Sequence, residues 1–130
     1  MKRITARMRE YAVTLFEAKN IDYNFYVQED ISDIVLDMEA RRDLFLVFKE
    51  SINNLVKYSK ATYANVSVCS QSHKLVMKVE DNGIGFDVKS YRKGNGHVNI
   101  RKRAKRINAV LDIQSEINKG TCVLLQLPVT

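Results

Sequence analysis

The stretch Val79-Glu80-Asp81-Asn82-Gly83-Ile84-Gly85-Phe86-Asp87 decides how this chain is read. It closes a β-rich run, Lys74 to Glu80, and turns into an Asn-Gly-x-Gly loop. A strand that ends this way sets a carboxylate at the sheet edge, and its glycines free the backbone for close approach to a ligand. Alone, the same letters also describe an ordinary Asn-Gly turn. The surrounding sequence has to choose between the two.

Upstream, Ile4, Met8, Tyr11, Ala12, Leu15 and Phe16 recur at helical spacing through Lys19, with Asn20 as the expected cap. Ile21, Tyr23, Phe25 and Val27 alternate as a half-buried strand, and Gln28 to Asp33 reads as a polar loop. A second helix is expected from Met38 or Glu39 to Tyr58 or Ser59, with Leu44, Val47, Phe48, Ile52, Leu55 and Val56 as its apolar stripe. Tyr63 to Cys69 and Lys74 to Glu80 are two strands joined by a four-residue connection, Ser70 to His73. Downstream, Asp81 to Gly96 holds four of the five glycines and reads as a long functional loop. A third helix follows, about His97 to Asn108. Two more strands end the chain, Val110 to Ser115 and Thr121 to Leu127, with Glu116 to Gly120 between them. The order predicts an α+β domain: a mixed, mostly antiparallel sheet with helices on one face.

The chain has 130 residues, 45% of them apolar, which suits one domain with a real core and excludes wholesale disorder. Its net charge is +6, compatible with nucleic acid, an anionic membrane or a phosphorylated small molecule. The excess is local. Phe86 to Arg106 carries eight basic residues against Asp87 alone, a balance of +7, and the remainder is −1. Cys69 and Cys122 lie in apolar runs without CxxC spacing and read as small buried hydrophobes of a reducing compartment. The first residues are too polar for a signal peptide, and no apolar run approaches the roughly 18 residues of a membrane span. The expected location is the cytoplasm.

Three further segments carry chemistry. Glu50 and Asn54, at i and i+4, share a helical face with Lys57, where their oxygens suit a hard divalent cation and the amine suits a phosphate. On its own this is equally a solvated polar face. Gly94-Asn95-Gly96-His97-Val98-Asn99-Ile100-Arg101 is a glycine-rich entry to a helix, a natural phosphate seat. Lys119-Gly120-Thr121 opens the last strand.

In this order and spacing the segments resemble the ATP-binding catalytic domain of two-component sensor histidine kinases, in the GHKL ATPase superfamily. Glu50 to Ala61 resembles the N box, Asp81 to Phe86 the G1 box, Gly94 to Ala104 the G2 box, and Gly120-Thr121 the terminal GT motif. The short interval from Phe86 to Gly94 is similar to the nitrate-sensor and lipid-fluidity-sensor subfamily. The resemblance implies a Bergerat-type two-layer sandwich at residues 21–130. It also implies that residues 1–20 are a leading helix or the tail of an upstream dimerisation helix.

The resemblance further implies a role for each matched residue. Asp81 would accept from the adenine amino group, Gly83 and Gly85 would let the backbone pass under the base, and Thr121 would sit nearby. Asn54 would coordinate Mg²⁺ between the phosphates, Glu50 would orient or deprotonate the attacking group, Lys57 would pair with phosphate, and Asn53 would add a polar contact. Gly94 and Gly96 would shape the lid over the phosphates, with His97 a lid or cap residue.

Three departures stand out. Tyr58 occupies the usual histidine position of the N box. His97 replaces the usual leucine of the G2 box. No histidine precedes His73, so the phosphoacceptor is absent. The expected function is therefore donation of the ATP γ-phosphoryl group to a histidine on a dimerisation domain outside this chain, with a response regulator receiving it later. On that reading Met1 opens a monomeric fragment that touches neither nucleic acid nor membrane. A serine/threonine kinase of the anti-sigma-factor type, or a nucleotide-binding module that has lost catalysis, are the alternatives.

Overall fold

Behind a leading helix the chain builds the order βαββαββ, and each boundary has a local cause. The computed structural model describes residues 2–85 and 96–129. Helix α1 (Lys2–Ala18) buries Ile4, Met8, Ala12 and Phe16, four residues apart, as one stripe. It ends where Asn20 takes φ +57 and the Ile21 N–H returns to the Phe16 carbonyl at 2.9 Å. That is a Schellman closure, in which a left-handed residue satisfies the last carbonyls. Helix α3 (Gly96–Arg106) stops the same way, with Asn108 at φ +59 and Ala109 N–H on the Ala104 carbonyl at 2.9 Å.

Helix α2 (Met38–Tyr58) starts on Asp37, whose carboxylate accepts the Ala40 N–H at 2.8 Å. Its buried apolar side chains, Leu44, Val47, Phe48, Ile52 and Leu55, face the sheet. Each contributes on the order of 1.5–3 kcal/mol by leaving water. Phe48 meets Phe25 edge-on, with ring centroids 6.2 Å apart.

Strands β1 (Asp22–Val27), β2 (Tyr63–Gln71), β3 (Lys74–Asp81), β4 (Val110–Glu116) and β5 (Gly120–Pro128) form one sheet in the order β1-β2-β3-β5-β4. Only β1–β2 is parallel, bridged by α2, and the other three pairings are antiparallel. Ala64, Val66 and Val68, Leu75, Met77 and Val79, and Val123, Leu125 and Leu127 point to the helices and share the core with α1, α2 and α3. The α+β architecture expected from the alternation is the one found.

Three local expectations change. The β2–β3 connection has two residues, not four: Ser72 at φ +52 and His73 at φ +63 make the tight turn that matches strand twist. Gln28 to Asp33 is not all irregular, because Glu29–Asp33 winds a 3-10 turn. Cys69 and Cys122 are half-buried rather than buried. They stand opposite Val76 and Glu80, on the face turned away from the helices. In a strand, every second residue of an apolar run faces outward. Burial raises the Cys122 thiol above its usual value, with Glu80 adding to the shift, which keeps it protonated and unreactive.

Candidate functional site

Asp81 is the last residue of β3, held between Ala64 of β2 and Thr121 of β5. Its Oδ1 accepts the Gly83 N–H at 2.8 Å, which turns the chain out of the sheet and fixes the carboxylate. Burial pushes its carboxyl above the ordinary aspartate value, opposed by backbone N–H bonds from Gly83 and Thr121. Asn82 pins the same joint: its Oδ1 accepts from Thr62 and Tyr63 N–H at 2.9 and 3.0 Å, and its Nδ2 donates to Thr62 Oγ1 at 2.9 Å.

The glycines that follow face protein backbone. A Cβ on Gly83 would lie 2.1 Å from the Ser59 carbonyl oxygen, and one on Gly85 2.0 Å from that of Glu116. The Ile84 N–H donates to the Ser59 carbonyl at 2.7 Å, and the Asn118 N–H to that of Ile84. The loop is thus wedged between the end of α2 and the β4–β5 turn. Gly120, at φ +86, closes the wedge, its Cα facing the Asp81 carbonyl. Thr121 Oγ1 lies 2.8 Å from Ser115 Oγ, beside the Asp81 carboxylate's strand.

Ser59 stands out only once the chain is folded. Its backbone N–H and Oγ both donate to the Leu55 carbonyl, its Oγ accepts from Ala61 N–H at 3.0 Å, and its carbonyl holds Ile84. The signal in sequence was a buried serine at a helix end, which no periodicity marks.

Ser59 ties the end of α2, the helix that carries Glu50, Asn54 and Lys57, to the loop after Asp81. Glu50 and Asn54 are half-buried and Lys57 is exposed. Neither Glu50 nor Lys57 has an ion pair among the described residues. The Tyr11 hydroxyl donates to Asn53 Oδ1 at 2.7 Å, so Asn53 ties α1 to α2. Burial raises the Tyr11 hydroxyl above the usual value against that hydrogen bond, with Glu50 adding a smaller upward push. Asn54 has no such partner: its buried Nδ2 is unpaired among the described residues. Tyr58 is 64% exposed. Gly94 lies outside the described residues. Gly96 and His97 begin α3. Of the basic stretch, Arg101, Lys102 and Lys105 are exposed, while Arg103 and Arg106 turn toward α2. Among the described residues no group of three or more His, Cys, Asp or Glu is placed to hold a metal unaided.

Residues 39–130 match the family described as Histidine kinase-, DNA gyrase B-, and HSP90-like ATPase. The chain belongs to this family. It is a histidine-kinase-like ATPase domain, and its boxes are those of an ATP-binding fold. Among curated relatives, it is 28% identical over 129 residues to the oxygen sensor histidine kinase NreB of Staphylococcus carnosus, covering 98% of this chain and 37% of NreB. It is 30% identical over 103 residues to the sensor protein VraS of Staphylococcus epidermidis, covering 78% of this chain and 30% of VraS. The chain thus spans about a third of the length of these relatives. The histidine kinase domain of the Erythrobacter litoralis EL346 blue-light activated histidine kinase superposes with a TM-score of 0.81 at 17% identity, over 97% of this chain and 61% of that one. The Acinetobacter baumannii histidine kinase AdeS gives 0.80 at 15% identity, over 99% and 64%. These structures share the ATPase-domain fold. No described helix is long and apolar enough to cross a membrane.

Proposed function

We propose that this domain binds ATP with Mg²⁺ and donates the γ-phosphoryl group to a histidine on a dimerisation domain outside residues 1–130. The observation that carries the reading is the staple of Ile84 N–H on the Ser59 carbonyl. It ties the helix that carries Glu50, Asn54 and Lys57 to the loop that follows Asp81, which supports one site drawing on both. In this reading Asp81 accepts from the adenine amino group, with Thr121 beside it. Gly83 and Gly85 serve the base by keeping the loop pressed against α2 and the β4–β5 turn. Asn54 would hold Mg²⁺ through its amide oxygen, and its Nδ2, without a partner among the described residues, would donate to a phosphate oxygen. The ion, when bound, neutralises charge on the phosphates. Lys57 pairs with phosphate and Glu50 orients the attacking imidazole, so the protein supplies position and charge more than covalent chemistry. Gly96, at the start of α3, borders the phosphates.

Helix α1 leads in from the region that carries the histidine, and a response regulator accepts the phosphoryl group afterwards. The fragment is a cytoplasmic monomer, which light scattering checks. Calorimetric titration with ATP and Mg²⁺ tests the binding step, and no heat of binding at millimolar nucleotide refutes it. Supplying a matched histidine-containing domain and ATP tests the transfer. Nucleotide binding without any phosphohistidine would leave a module that has lost catalysis.

A further inference from the structure

Helices α2 and α3 meet through a carboxylate that no solvent reaches. Asp43, a turn and a half into α2, is 0% exposed. Two guanidiniums of α3 converge on its Oδ1, Arg103 at 3.5 Å and Arg106 at 3.4 Å, with side chains 28% and 48% exposed. Asp43 Oδ2 and Arg103 Nε have no partner among the described residues. Ile100 and Ala104 bury the rest of the same α3 face.

Such a cluster is a poor stabiliser. Taking a carboxylate out of water offsets much of what its pairing returns, and an apolar replacement of similar shape is commonly as stable. What it sets is register. Ile100 and Ala104 are smooth and tolerate sliding or rotation of α3. A buried carboxylate is reached by both Arg103 and Arg106, at i and i+3, at one axial position only. The two helices so locked belong to the same site. Glu50, Asn54 and Lys57 lie further along α2, and Gly96 begins α3 about 10 Å, or two turns, from Arg103.

We propose that Asp43 is a positioning residue. Through Arg103 and Arg106 it holds α3 where the N-terminal end of that helix meets the phosphates of a nucleotide seated against α2. The inference rests on the ATP reading above. It predicts a split that a purely structural residue would not produce. Adenosine is read at Asp81 on β3, whereas the phosphates need α3 in register.

The test measures affinity for ATP with Mg²⁺ by calorimetry, and for adenosine by displacement of a fluorescent ATP analogue. Asp43→Asn should weaken ATP at least tenfold and leave adenosine within twofold. The double variant Arg103→Ala/Arg106→Ala should show the same split, and adding Asp43→Asn to it should cause little further loss. Arg103→Lys, which keeps the charge, should recover most of the ATP affinity lost by Arg103→Ala. Should Asp43→Asn fail to fold, the apolar set Asp43→Leu/Arg103→Met/Arg106→Met removes the buried charges together, and it should still lose ATP relative to adenosine. Equal weakening of both ligands, or no change in a folded variant, overturns the proposal while leaving the nucleotide reading intact. A parent protein that binds neither ligand overturns both.

Discussion

Strand β3 is entered through a turn in which Ser72 and His73 have φ of +52 and +63, and it is left through a loop in which Gly85 has φ +62. The dihedrals are alike, but the residues are not. Ser72 and His73 are exposed, and a left-handed residue in the open costs only about 1–2 kcal/mol. At the other end, the Glu116 carbonyl oxygen lies 2.0 Å from where a Gly85 Cβ would stand. Gly83 makes the point without any unusual dihedral, since Ser59 blocks its Cβ at 2.1 Å. Glycine is demanded where three segments converge, not wherever the backbone turns left-handed. Asn20, Lys60, Asn108 and Asn118, all non-glycine at positive φ, agree.

The crowded end of β3 is the more sensitive of the two. Gly83→Ala or Gly85→Ala should each destabilise the domain by more than about 3 kcal/mol, since backbone on both sides must shift. Urea unfolding midpoints check this, and a loss under about 1 kcal/mol would mean the wedge is loose. Next in size is Asp81→Asn, expected to weaken adenine nucleotides by about 2 kcal/mol, roughly 30-fold, as a charge-assisted acceptor is replaced by a neutral one.

The same substitution should not weaken the empty fold at neutral pH. Burial raises the Asp81 carboxyl above its ordinary value of 3.8. A raised folded-state value means its contribution to stability is fully present below the unfolded value and declines as pH rises through the folded one. Asp81→Asn should therefore match or exceed the parent at pH 7, and the parent should gain on it as pH falls toward about 4. Urea melts at the two pH values decide it. A less stable variant at pH 7 would show the charged form supporting the fold.

Asn54→Ala should abolish the Mg²⁺ dependence of ATP binding yet change stability by less than about 1 kcal/mol, because it removes a buried amide nitrogen that has no partner among the described residues. Thermal melts with and without nucleotide separate the two effects. The smallest change is at the open turn. His73→Gly should stabilise by about 0.5 kcal/mol, relief of the left-handed backbone being partly offset by a freer unfolded chain. A loss there would mean that the His73 imidazole contributes stabilising contacts of its own.

Much of this was legible in the sequence because it is local. The four-residue stripe of α1, the Asn20 cap, the Glu50–Asn54 face and the alternation of five strands follow from hydrogen bonds and side-chain directions within a few residues. Together with the order of the boxes, they determined the α+β class and the ATPase family. Tertiary structure decided what depends on partners far along the chain. It turned Asn53 to Tyr11, left Asn54 Nδ2 without a partner among the described residues, set Cys69 and Cys122 on the outward face, and pressed Gly83 and Gly85 against Ser59 and Glu116. It also buried Asp43, an unremarked charge on a helix, beneath two arginines about 60 residues away. Periodicity tells a side chain which face it occupies, but only packing tells it what stands opposite.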